Sequence, residues 1–211
     1  MIEINIDGIK YEFEELQLTY ENAKILNKKI AQENLILMKN ILDSADVEFI
    51  LAYGTLLGAI REKDFINHDI DIDIIATNEA KVIKAIPNLR EHGLNLVRLD
   101  EKTGTYSFMR NDVYIDIYVI REYSGFIGSF YIKLLGRPFP AKFLREYSKL
   151  NFLGEEFKIP KKYKKILEYW YGQNWMVPIA NKPSNDQAEI TRFLKKILPG
   201  KLFELVKKMI R

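Results

Sequence analysis

The chain has 211 residues, of which 47% are hydrophobic and 29% charged, with a formal net charge of +3. This balance excludes a disordered chain and suffices for one substantial core, or for one catalytic domain with a smaller annex. Cysteine is absent, which excludes disulfide scaffolds, thiolate metal sites and cysteine nucleophiles, and His68 and His92 are the only imidazoles.

The charge is divided along the chain. Residues 1–120 carry 13 Lys+Arg against 21 Asp+Glu, a net of −8, whereas 121–211 carry 19 against 8, a net of +11. An acidic front half suits divalent cations, and a basic back half suits a phosphate-bearing substrate or an anionic surface. Lysine-rich solvated helices would give the same balance. The N-terminus alternates apolar and charged residues with no basic stretch followed by an apolar one, so it does not read as a signal peptide. No run approaches the roughly 18 apolar residues of a spanning helix, so a cytoplasmic location is expected.

Residues 2–6 and 9–13 read as two alternating strands around Asp7-Gly8, a hairpin signal. From about 20 to 42 the residues Ala23, Leu26, Ile30, Leu37 and Ile41 recur at helical spacing. Residues 47–53 read as a buried strand, broken by Gly54-Thr55, and 56–62 as a short helix. Segment 70–76 alternates apolar residues with aspartate up to Ile75, and 78–92 predicts a helix that Pro87 should kink or end. Strands follow at 94–99, 105–110 and 113–120, the last two joined by Asn111-Asp112 as a tight turn. Beyond 121 the chain reads as loop-rich to about 140, then helical near 141–149, 161–171, 186–198 and 200–210. These elements divide into a hairpin (1–18), a core (19–125) and a helical C-terminal region (126–211).

Chemistry concentrates in AYGTLLGAIREKDFINHDIDIDII, residues 52–75. In a strand, Asp69, Asp71 and Asp73 share one face while Ile70, Ile72 and Ile74 share the other. Carboxylates so placed repel one another unless a cation neutralises them; a solvated acidic edge strand is the alternative. Oxygen-only donors favour Mg²⁺ or Mn²⁺ over zinc or copper. Asp116 interrupts the otherwise apolar VYIDIYVI (113–120), where burial is costly unless the carboxylate is paired or metal-bound. On a neighbouring strand it could complete a metal site with Asp71 and Asp73, or take a proton from an acceptor hydroxyl.

Gly54-Thr55 opens a helix after a strand, a place where backbone N–H groups receive phosphate oxygens. Arg61, two turns on, could fork onto the same phosphate or pair with Asp64 or Glu62. His68 could orient Asp69, touch a nucleotide or be merely structural, and His92 beside Gly93 reads as a helix cap.

The order Gly-Thr, Leu-Gly, Arg, Asp-x-Asp-x-Asp and a later strand aspartate resembles the nucleotidyltransferase pattern. In the form GTLLGAIR then FINHDIDIDI it resembles the LicD family of phosphocholine transferases and the fukutin-type ribitol-phosphate transferases. FLGEEFKIP (152–160), YKKILEYWYG (163–172) and NWMVP (174–178) resemble that family's C-terminal signature. Where bacterial members often have Trp-Asp-Asp-Asp, this chain has His68-Asp69-Ile70-Asp71, nearer the fukutin-type spelling.

The resemblance implies an α+β nucleotidyltransferase fold, a mixed sheet flanked by helices with a mainly helical C-terminal region. It implies Asp71, Asp73 and Asp116 as catalytic metal ligands, and Gly54, Thr55, Arg61, His68 and Asp69 as the nucleotide- and phosphate-binding set. The implied reaction moves phosphocholine, ribitol phosphate or glycerol phosphate from a CDP-alcohol to a sugar hydroxyl of a glycan or lipid-linked precursor, with Mg²⁺ or Mn²⁺ and no nucleic-acid partner. The alternatives are transfer of an NMP from an NTP to a small molecule, protein or RNA, and an inactive binding protein. Segment 191–211 interleaves apolar residues with lysines, which suits either a peripheral helix on an anionic membrane or packing on the domain.

Overall fold

The computed structural model describes residues 1–16, 24–123, 128 and 130–178. Two compact units divide the chain at Tyr163/Lys164. The first opens with the hairpin β1 (Ile2–Ile6) and β2 (Ile9–Phe13), whose turn residues Asp7 and Gly8 both take positive φ, as a two-residue hairpin turn requires. Next come α1 (Lys28–Ser44), β3 (Phe49–Leu51), α2 (Tyr53–Arg61), β4 (Asp71–Ala76) and α3 (Glu79–Glu91). Helix α1 begins later than its apolar spacing predicts, because the Asn27 side chain accepts the Lys29 and Ile30 N–H groups and sets the N-terminus there. Residues 17–23 lie outside the described residues. Helix α3 runs through Pro87 instead of ending at it, capped by Asn78, with Val82, Ala85, Ile86 and Leu89 buried on one side.

Strands β5 (Asn95–Asp100), β6 (Thr105–Arg110) and β7 (Val113–Val119) complete a five-stranded sheet in the order β3-β4-β7-β6-β5. Only β4 and β7 pair in parallel; the other neighbours are antiparallel, so the sheet is mixed. Its apolar face holds Ile72, Ile74, Ile115, Ile117 and Phe108, all fully buried, and α1 and α3 supply the helical side of that core. With four helices among the described residues, the protein is of the α+β class.

The stretch after 121 departs from expectation. The region read as loop contains β8 (Arg121–Glu122), β9 (Tyr131–Leu134) and β10 (Arg137–Pro140), which form a separate three-stranded sheet. The helix expected at 141–149 is a single 3₁₀ turn at Ala141–Phe143 followed by β11 (Tyr147–Phe152), which pairs with β12 (Glu155–Pro160). Both hairpins turn on a leucine and a glycine at positive φ, Leu135-Gly136 and Leu153-Gly154. Leucine there carries none of the usual turn signal, so only the glycine hinted at it. The mainly helical C-terminal region therefore does not begin at 126. The expected helix near 161–171 is α4 (Tyr163–Tyr171), and the helices expected at 186–198 and 200–210 lie outside the described residues.

The β11–β12 hairpin fixes the approach to β4. Phe152 meets Phe65 edge-on at 5.6 Å and Phe157 at 6.1 Å, and Phe157 in turn meets Phe49 of β3 at 6.4 Å. Phe65 is fully buried, so it anchors the loop of residues 62–70. That loop also lies tightly on α2, since a Cβ on Gly58 would come within 2.6 Å of the Asp64 carbonyl oxygen. Gly58→Ala is expected to destabilise the protein by about 1–3 kcal/mol, because a backbone atom has to yield. Urea unfolding measures it, and an unchanged midpoint would mean that the loop does not press on the helix.

Candidate active site

The parallel pairing of β4 with β7 sets the site. Its register puts Asp73 directly opposite Asp116, and Asp71 opposite Tyr114 one step along. Alternation turns Asp71 and Asp73 away from the isoleucine core, onto the face that Tyr114, Asp116 and Tyr118 share. Both Asp73 and Asp116 are buried.

Three groups hold the carboxylates. Gly54, at the start of α2, donates its N–H to Asp73 Oδ2 at 3.0 Å, so a carboxylate from β4 receives an N–H at the helix N-terminus. The Tyr118 hydroxyl lies between the two aspartates, 2.9 Å from Asp73 Oδ1 and 3.2 Å from Asp116 Oδ2. Arg98 of β5 donates from Nη2 to Asp116 Oδ2 at 2.9 Å and from Nε to Ser107 Oγ at 2.8 Å. Thr55 is fully buried, and its Oγ1 accepts the Asp73 N–H at 2.8 Å, so the hydroxyl ties α2 to β4. Tyr53 is held at φ +37° with its ring edge-on to Tyr118 at 5.3 Å, a strained backbone conformation beside the carboxylates.

Strand β4 starts only at Asp71, so Asp69 lies in the preceding loop instead of on the strand face, where its carbonyl accepts the Leu26 N–H at 2.8 Å. Its carboxylate presses on α2, for a Cβ on Gly54 would meet Asp69 Oδ2 at 2.6 Å. Arg61 sits at the other end of α2, with Nε 2.7 Å from Glu62 Oε1. It is seven residues on from Gly54, about 10 Å of helical rise. Asp64 pairs with Lys28 at 2.7 Å, and His68 is exposed. His92 is the C-cap of α3 as expected, its Nδ1 2.9 Å from the Asn88 carbonyl.

Crowding raises the carboxyls. Burial, then the charges of Asp116 and Asp69, pushes Asp71 up to about 7. Burial pushes Asp69 up to about 6, against the Ile70 N–H. Burial, then Asp71, Asp69 and Asp116, drives Asp73 well above the ordinary carboxylate range. Two oxygens, Asp69 Oδ2 and Asp116 Oδ1, are buried with no hydrogen-bond partner among the described residues. Among those residues no three carboxylate or imidazole groups close into a ready-made metal shell. The mutual repulsion, the orphaned oxygens and the all-oxygen donor set are nonetheless what a Mg²⁺-type ion would relieve, so the residues fit such a cation.

Of the sequence-derived residues, Asp71, Asp73, Asp116, Gly54 and Thr55 converge here, with Asp69 close by. Arg61 is turned to Glu62. Sequence reasoning missed Tyr118 and Arg98. Tyr118 stands two residues after Asp116 and so shares its strand face, a signal that alternation offered. Arg98 had none: strict alternation would place it with Leu96 on the apolar face, but a bulge between Leu96 and Arg98 advances the register so that Arg98 pairs with Ser107.

Residues 46–162 match the sequence profile of a family described as LicD/FKTN/FKRP, nucleotidyltransferase domain. Among curated proteins no significant match is found. Among solved structures, the chain is similar to the lincosamide antibiotic adenylyltransferase LnuA in its lincomycin-bound crystal structure. The identity is 17% and the TM-score 0.48, over 83% of this chain and 100% of that one. It is also similar to ANT(2″)-Ia in complex with adenylyl-2″-tobramycin, at 14% identity and TM-score 0.48 over 85% and 97% of the two chains. A third is an antigenic nucleotidyltransferase-like protein from Paracoccidioides brasiliensis, at 15% identity and TM-score 0.45 over 82% and 91%.

The raised carboxyls predict a pH dependence. In the folded protein Asp69 and Asp71 hold their protons above the ordinary value of 3.8, so the stability they confer is present below that value and is lost as pH rises through about 6 to 7. In a chelator, the melting temperature should fall between pH 5 and pH 8, and Asp71→Asn should flatten the fall. Equal slopes for parent and variant would show that Asp71 is not raised.

Proposed function

Since the chain belongs to the LicD/FKTN/FKRP family of nucleotidyltransferase domains, we propose that it transfers a phospho-alcohol group from a CDP-alcohol to a sugar hydroxyl of a glycan or its lipid-linked precursor. The family makes it a transferase. The observation that carries the reading at the site is the pairing of Asp73 with Asp116 across β4 and β7, with Asp71 on the same face. A Mg²⁺ or Mn²⁺ ion held by Asp71 and Asp73 would supply the positive charge that a diphosphate needs when its bridging bond breaks.

The chain's own groups do the rest. Gly54 N–H, Thr55 Oγ1 and the Tyr118 hydroxyl fix Asp73 from three directions. Asp116 is the carboxylate placed to take the acceptor proton, since Oδ2 is held while Oδ1 has no partner among the described residues. The acceptor oxygen bonds to the phosphorus that carries the alcohol, the bond from that phosphorus to the CMP oxygen breaks, and the hydroxyl proton passes to Asp116. A phosphodiester and CMP result. The packed apolar face of β4 and β7 backs the sheet behind the carboxylates, and Asp73 and Asp116 are themselves buried, which strengthens these electrostatic contacts. The net positive charge of the sequence after residue 121 suits a phosphate-bearing substrate. The expected location is the cytoplasm, with contact at the inner face of a membrane through 191–211 as the alternative. Among the described residues no helix is long and apolar enough to cross one, and segment 191–211 lies outside them.

The test compares CMP release from CDP-choline, CDP-ribitol and CDP-glycerol, with Mg²⁺ and a sugar acceptor, against pyrophosphate release from NTPs. CMP from one CDP-alcohol is expected, and pyrophosphate release alone would transfer the case to the NMP-transfer reading. Asp71→Ala and Asp116→Asn should each lower turnover by more than about a hundredfold with the fold retained, because they remove charge from a repelling cluster. Mg²⁺ should raise the melting temperature of the parent but not of an Asp71→Ala, Asp73→Ala double variant. An equal rise in the two would place the ion elsewhere.

A further inference from the structure

Arg98 is brought to the carboxylate face by an irregularity in β5. Leu96 pairs with Phe108, and Arg98 with Ser107, so Val97 is the extra residue between them. The Val97 carbonyl accepts the Leu16 N–H at 2.8 Å, a bond that ties the bulge to the segment after the N-terminal hairpin. Without the bulge, Val97 would stand opposite Ser107 and Arg98 would point into the core.

With it, one polar row crosses four strands: Asp73 on β4, Asp116 on β7, Ser107 on β6 and Arg98 on β5. The guanidinium forks between Ser107 Oγ and Asp116 Oδ2, and its charge also reaches Asp71. The side chain of Arg98 is 36% exposed and that of Asp116 only 7%, so a partly solvated cation holds a desolvated carboxylate. Asp116 Oδ2 thus has Arg98 and Tyr118 on it, and Oδ1 has no partner among the described residues.

We infer that Arg98 is a positioning residue of the transfer site: its fork fixes Asp116 by Oδ2 so that Oδ1 is the oxygen left for ligand or proton, and its charge competes with a divalent cation for the carboxylate face. The inference rests on the phosphotransfer reading for its kinetic part and on the charge geometry alone for its binding part. A guanidinium and a cation attract the same carboxylates, so removing the first should tighten the second. The same removal frees the Asp116 carboxylate to rotate, which should slow the reaction.

Mn²⁺ binding measured by calorimetry without any donor, together with steady-state kinetics at saturating Mn²⁺, separates these effects. Arg98→Ala should bind Mn²⁺ at least about threefold tighter, while its turnover number falls about tenfold or more and the donor KM changes less than about threefold. Arg98→Lys keeps the charge but not the fork, so its Mn²⁺ affinity should match the parent's while its turnover stays low. Ser107→Ala removes the other anchor of the fork at constant charge, and it serves should Arg98→Ala fail to fold; it should slow turnover severalfold at unchanged Mn²⁺ affinity. Weaker or equal Mn²⁺ binding in Arg98→Ala, or parental turnover in Arg98→Ala or Ser107→Ala, overturns the inference. If the parent itself releases no CMP from any CDP-alcohol, the phosphotransfer reading fails and the Mn²⁺ titrations alone decide the role of Arg98.

Discussion

Repulsion among Asp71, Asp73 and Asp116 on a single sheet face is the constraint to which the surrounding structure answers. The parallel β4–β7 register forces Asp73 and Asp116 into adjacent positions, and burial denies them water. The neighbours that touch them are donors: the Gly54 N–H, the Tyr118 hydroxyl and the Arg98 guanidinium. Even so, burial and mutual charge leave Asp71 and Asp73 reluctant to ionise. A structure that maintains such a cluster sacrifices stability at a functional site, as metal-binding carboxylates do until a cation arrives.

The second requirement is that this face be held rigidly from outside. Helix α2 begins against Asp73, and the loop of residues 62–70 is pressed onto α2 at Gly54 and Gly58, which brings Asp69 alongside. Phe65 pins that loop to Phe152 of the β11–β12 hairpin. This gives a physical reason for the span of the family match. Residues 46–162 run from just before β3 to just past the end of β12, which includes the carboxylate strands and the distant hairpin that anchors the loop before β4. The C-terminal signature at 152–160 contributes first as a packing element for the loop that precedes β4.

Much of the fold was legible because the signals were local. Alternation in 70–76 and 113–120 gave the two strands, Asp7-Gly8 and Asn111-Asp112 gave their hairpins, and the helix expected at 78–92 is α3 to within a residue, whereas α1 begins about eight residues later than its apolar spacing implies. The errors fell where local preference was weak or misleading. Pro87 did not end α3, because Val82, Ala85, Ile86 and Leu89 bury the helix on both sides of it. Residues 147–152 form a strand because Phe152 has an aromatic neighbourhood to enter and a partner strand in β12, neither of which lies in the segment itself.

The sequence by itself determined the carboxylates, their strands and which side of each strand they occupy, since strand alternation is a property of the backbone and needs no partner. It also determined the glycine and threonine that open α2 and the family to which the pattern belongs. Only the tertiary structure decided that Asp73 faces Asp116, that Asp69 leaves the strand face, that Arg61 turns to Glu62 and that Tyr118 and Arg98 join the site. Register between strands distant in sequence, and a bulge that moves a side chain from one face to the other, depend on which strands pair, and no local pattern encodes that choice.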